Sequence, residues 1–191
     1  MAILKIARLG NPVLLRRAAP VTDPLAPEIR RLVTDMIETL AEGGGVGLAA
    51  PQVHESLRCF IYRVPESRAS GVPDDEAQPF SVVINPEIVE TSPVMVDGWE
   101  GCLSIPGMSV RVRRSTRILI RGQDVSGTWF TRQAAGFHAR VIQHEFDHLE
   151  GLLTIGRLTD WRLIGFNEEI ARDRPCIEAL AAAVDEEGNV A

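Results

Sequence analysis

The segment His144-Glu145-Phe146-Asp147-His148 constrains this chain more than any other. Two histidines four apart share a face when they lie on a helix, one turn above the other. So placed, their ring nitrogens can hold one Zn²⁺- or Fe²⁺-like ion. Glu145, about 100° around the helix, can touch a water beside that ion without taking a ligand position. The flanking pattern agrees: Phe137, Val141, His144 and His148 follow at helical intervals, and Ile142, Phe146 and Leu149 widen the apolar surface. This predicts a largely buried helix over 135–150, stopped by Gly151. Arg140, Gln143, Asp147 and Glu150 form a polar stripe on another face. A buried imidazole needs a partner, and a metal is a good one. His138, six residues before His144, falls roughly 240° around the helix and is not expected to ligate.

Two histidines leave a tetrahedral catalytic site one protein ligand short. Thr154 stands where one metalloprotease class carries a third histidine. Glu168 lies at the distance at which another class closes the site with a carboxylate, which would make the chain a metallopeptidase of internal bonds. Cys102, within Glu100-Gly101-Cys102-Leu103-Ser104, offers a thiolate beside a glycine that permits close backbone approach. On the residues alone both stay open, as does a metal-binding module without catalysis. A further run, Gly45-Val46-Gly47-Leu48-Ala49-Ala50-Pro51-Gln52, brings backbone groups within reach of a peptide and closes on an amide that can donate to an oxyanion. Its alternative is a tight turn with a surface Gln52. It lacks the Gly-Lys-Ser/Thr ending of a phosphate loop.

The rest of the chain supplies a mixed scaffold. Leu25, Ile29, Leu32, Val33, Met36, Ile37 and Leu40 predict a helix over 24–43, started by Asp23-Pro24 and stopped by Gly43, Gly44 and Gly45. Segments 58–64, 80–89 and 117–123 read as strands, and Val110 and Val112 alternate with arginines as in a half-exposed strand. Residues 65–79 read as a surface loop and 159–172 as a last helix. Helix, then strands, then helix is an α+β order. At 191 residues one domain is expected, with 1–174 catalytic and 175–191 an acidic tail. A net charge of −6 speaks against a protein that coats nucleic acid. No apolar run is long enough for a membrane helix, no secretory signal is read, and three cysteines without framework spacing fit a reduced compartment.

Segments 45–52, 100–104 and 144–148, in that order and with Asp147 directly before His148, together resemble the motifs of the peptide deformylase family. The similarity also takes in Arg8–Pro20 and runs to about residue 158. The resemblance implies antiparallel β-sheets packed around a central metal-binding helix, with an N-terminal and a C-terminal helix. It implies a monomeric, cytoplasmic, bacterial-type hydrolase that removes formyl from the N-terminal methionine of nascent chains. The ion would be Fe²⁺, with Zn²⁺, Ni²⁺ or Co²⁺ able to substitute. Carried over by position, Cys102, His144 and His148 would hold the metal, and Glu145 would be the general acid/base. Gln52 and the Leu103 N–H would form the oxyanion hole. Val46, Gly47 and Gly101 would pair with substrate backbone, Phe137 and Val141 would line the methionine pocket, and Glu100 would pair with Arg114. Members of the family dock on the ribosome through a basic C-terminal helix, whereas this tail is acidic after Arg174. Five arginines and no acid between Gly107 and Arg121 read as a solvated strand face or an RNA contact.

Overall fold

The structure, a computed structural model, describes residues 2–187, with side chains described to residue 179. Helix α1 spans Pro27–Gly43, three residues shorter at its start than the sequence predicts. Asp23 instead makes a turn, accepting the Leu25 N–H at 2.8 Å, and Pro27 opens the helix where its missing N–H is harmless. Gly44, at φ 66°, ends it in the left-handed conformation.

Five strands form one antiparallel sheet: β1 (Gly47–Ala49), β2 (Cys59–Val64), β3 (Gln78–Thr91), then β6 (Arg117–Gln123) and β7 (Trp129–Ala135), adjacent in that order. A second sheet holds β4 (Met95–Cys102), β5 (Ile105–Ser115) and β8 (Ile164–Phe166). Helix α2 (Gly136–Leu149) follows β7 directly. Strand β2 explains the layering. Cys59 and Ile61 pack with Ile29, Val33, Met36 and Leu40 of α1, while Phe60, Tyr62 and Val64 pack with Ala139, Val141, Ile142 and Leu149 of α2. Alternate residues thus face opposite helices, and a strand covered on both sides reads as a continuous apolar run. Each such side chain contributes about 1.5–3 kcal/mol by leaving water.

The polar stripe on α2 is not solvated. It meets the second sheet: Gln143 bonds both the N–H and the C=O of Ser115, and Asp147, 4% exposed, faces Arg114 of β5. The cap of α2 also comes from afar, because Ala135 offers no side-chain bond. Asp75, in the loop before β3, accepts the His138 N–H at 2.9 Å.

The predicted last helix at 159–172 is replaced by three elements. A 3₁₀ turn at Trp161–Leu163 is capped by Asp160, β8 pairs with Met108–Val110 of β5, and helix α3 runs Asn167–Glu187. Pairing to an open sheet edge has overridden local helical pattern. Helix α3 continues past position 174, bent where Asp173 leaves helical geometry two residues before Pro175. Residues 188–191 lie outside the described part. Among the described residues no helix is long and apolar enough to cross a membrane.

Candidate metal centre and cleft

Cys102, His144 and His148 offer ligand atoms that all lie within 4.8 Å of one another. The Cys102 Sγ is 3.4 Å from His148 Nε2, and the two imidazoles stand edge to face at 5.0 Å between centroids. The β4–β5 hairpin puts the sulfur there. Its register shifts between Gly101 and Cys102, and the strands close through the Cys102–Ile105 pair. A bulge of this kind re-aims a side chain. Glu168, the rival third ligand, sits exposed in the first turn of α3 and is not among the clustered groups. A thiolate and two imidazoles are donors suited to a divalent transition metal.

Charged groups behind the ligands hold them in place. His144 Nδ1 lies 2.9 Å from Glu100 Oε2, which leaves its Nε2 for an ion. Arg114, 3% exposed, grips Glu100 through two bonds of 2.9 Å, as the sequence reading expects, and reaches Asp147 at 2.5 Å. Arg140 adds a bond of 2.7 Å to Glu100, and Arg157 closes on Asp147 at 2.9 Å. Burial works to raise the Glu100 pKa, but hydrogen bonds from Arg114 and His144 overcome it and hold the carboxylate well below its usual range. Neither Arg140 nor Arg157 carries a sequence signal for this role, because their partners come from remote strands or helix turns. Gly98 is part of the same fit: the Arg140 guanidinium occupies the space a Cβ would need.

Glu145 is 3% exposed, and its Oε2 has no hydrogen-bond partner. Burial pushes its pKa up to about 7. Gln52 is buried rather than at the surface. The Ala49 N–H donates to its Oε1 at 2.9 Å, which turns Nε2 toward Ser104 Oγ at 3.2 Å and Cys102 Sγ at 3.6 Å. His138 stays away from the ligands and bonds Tyr62 and the Asp74 carbonyl.

A cleft of about 1030 Å³ opens over these groups. Gly47, Gln52, Gly101, Leu103, Phe137 and Val141 all line it. So does Val46, although its carbonyl already accepts the Arg63 N–H at 2.8 Å. That bond makes Val46–Arg63 a hydrogen-bonded pair, so Gly47, opposite Tyr62, turns its N–H and C=O to the open edge of β1. Strand β4 is likewise an edge of its sheet, so the cleft lies between two sheet edges with α2 as its floor.

The family model described as polypeptide deformylase matches residues 3–163. The chain belongs to the polypeptide deformylase family. Peptide deformylase 1 of Bordetella pertussis is 46% identical over 163 residues, covering 85% of this chain and 92% of that one. The crystal structure of peptide deformylase from Thermotoga maritima superposes with TM-score 0.74 at 40% identity, covering 83% of this chain and 99% of that one. A Met-Ala-Ser-bound class I type b peptide deformylase from Acinetobacter baumannii superposes with TM-score 0.75 at 36% identity, covering 82% and 98%. The chain is therefore an enzyme of the deformylase class, and the metallopeptidase alternative built on Glu168 falls away.

Proposed function

We propose that this deformylase removes formyl from N-formylmethionyl peptides and nascent chains, as a cytoplasmic monomer. Cys102, His144 and His148 would hold one divalent ion, natively Fe²⁺, with Zn²⁺, Ni²⁺ or Co²⁺ as substitutes. The observation that most supports the reading is the buried Glu145 carboxylate, whose Oε2 lacks a partner beside the ligand set. When bound, the ion supplies Lewis acidity that polarises the formyl carbonyl and lowers the pKa of a water toward ~7. Glu145 would take the proton of a water held there and deliver it to the leaving amine. Gln52 Nε2 and the Leu103 N–H donate to the developing oxyanion, each contributing on the order of 3 kcal/mol. Gly47 and Gly101, with Val46 beside them, offer main-chain groups to an extended substrate that adds a strand between the sheet edges. Phe137 and Val141 line the pocket for the methionine side chain.

Formate release from formyl-Met-Ala-Ser, run beside cleavage of a blocked internal peptide, tests the reading. Formate from the first and no cleavage of the second is expected. Metal analysis of purified variants tests the ligand set: Cys102→Ala should lose the ion, and Glu168→Ala should keep it. A metal-free Glu168→Ala protein would overturn the assignment.

A further inference from the structure

The family match ends at residue 163, yet the chain beyond it builds part of the cleft. Asn167 and Arg174 of α3 both line the cavity. Helix α3 is tied down on either side of its bend: Ser109 Oγ of β5 donates to Asn167 Oδ1 at 2.7 Å, and Trp99 Nε1 of β4 donates to Glu178 Oε1 at 3.2 Å. The bend itself falls at Asp173 and Pro175. Proline removes an N–H and disfavours helical geometry in the residue before it, so Arg174 sits where the helix cannot run straight.

The charges lining the cleft are Arg68, Arg140, Arg174, Asp97, Glu100 and Glu145. Some are already spoken for. Arg140 and Arg114 neutralise Glu100. Glu145 belongs to the reacting centre. Asp97 stands opposite Arg113 in the β4–β5 register but makes no ion pair among the described residues, so one acid also faces the cleft. Arg68 lies 4.1 Å over the Phe137 ring, which places it beside the pocket ascribed above to methionine. Among the described residues neither Arg68 nor Arg174 has a carboxylate within ion-pair distance. Two guanidiniums without an ion-pair partner among the described residues thus line one cleft from separate elements, against a single unpaired acid, Asp97, in a chain whose net charge is −6.

We infer that Arg68 and Arg174 recognise a carboxylate on the substrate chain one or two residues beyond its formylated methionine. The enzyme therefore favours nascent chains with an early Asp or Glu. This rests on the deformylase reading above and adds a sequence preference to it. Guanidinium is suited to the task, since its planar fork matches a carboxylate. Each exposed pair of this kind contributes up to about fivefold, and it weakens as salt screens it.

Steady-state formate release from the C-terminal amides of formyl-Met-Ala-Glu and formyl-Met-Ala-Lys by the metal-loaded full chain tests the inference, with the amides of formyl-Met-Glu-Ser and formyl-Met-Lys-Ser as a second pair. The kcat/KM ratio of acidic over basic peptide should exceed about fivefold in at least one pair, reside mainly in KM and shrink at high salt. Arg174→Gln with Arg68→Gln should bring the ratio to within twofold of one, and Arg174→Glu should invert it. The inversion is a readout that loss of α3 packing would not produce. Equal kcat/KM for both members of each pair in the parent, or a ratio that survives in the double variant, would overturn the inference while leaving deformylation standing. No formate from any peptide would overturn both.

Discussion

Gly47 lies against Glu145 so closely that a Cβ at position 47 would overlap the Glu145 carboxylate. Strand β1 and helix α2 meet at this point, and the missing side chain is what lets the buried acid stand beside the ligand set. The glycine-rich segment therefore serves two ends. It presents main-chain groups at the β1 edge, and it leaves room for the buried Glu145 carboxylate behind them.

Gly47→Ala should displace Glu145 while leaving Cys102, His144 and His148 in place. Formate release is expected to fall on the order of 10²-fold, as for a misplacement of about 1 Å at a reacting group. Metal content should stay at the parent level. Full activity in the alanine variant would show that Glu145 has space to spare.

Glu145→Gln keeps the shape of the side chain but cannot accept a proton. The variant should bind metal normally and lose about 10²–10⁴ in kcat. Turnover within tenfold of the parent would assign the proton transfer to another group.

Arg114→Leu should cost far more than a surface ion pair. It strips the principal partner from Glu100 and one of two guanidiniums from Asp147, both of which are buried. Breaking a buried pair from one side typically costs about 3–5 kcal/mol. At about 2–4 °C per kcal/mol for a chain of this size, the melting temperature should drop by about 10 °C. Because Glu100 also orients His144, metal affinity should fall with it. A thermal scan and a metal titration check the two effects separately.

His138 predicts a pH dependence of stability. Burial lowers its pKa below the ordinary 6.5. Arg132 donates to the Tyr62 hydroxyl at 2.6 Å, leaving that hydroxyl to donate to His138 Nε2 at 3.0 Å, so the ring is suited to the neutral form. Between the two pKa values the unfolded chain holds the extra proton, so stability rises with pH. The contribution is complete above about 6.5 and is lost as pH falls below it. The stability difference between the parent and His138→Gln should therefore narrow from pH 8 to pH 5 in denaturant unfolding. A gap independent of pH would mean that His138 titrates equally in the folded and unfolded states.

Much of the site was legible along the chain because its chemistry is local. His144, Glu145 and His148 share one helix, so spacing alone sets their relative directions. The glycines of 45–52 and the Glu100–Ser104 segment are compact motifs, and their joint occurrence pointed to the family. The Gly98 cavity for Arg140, the reach of Arg114 to Asp147, and the Asp75 cap of α2 had no such signal. Each joins residues from elements far apart in sequence, and no local pattern marks which arginine is buried.

What the sequence determined by itself was the metal helix, the apolar periodicity of α1 and the strand character of β2, β3 and β6, since these follow from side-chain spacing within one element. Tertiary structure alone decided between Cys102 and Glu168 as neighbour of the histidines, because a hairpin bulge brings the sulfur to them and leaves the carboxylate exposed on α3. It also turned 164–166 from helix to strand: the open β5 edge at Met108–Val110 offered backbone partners. Local preference is worth a fraction of a kcal/mol per residue, and an unfilled sheet edge with Ile170 packed beneath it outweighs that.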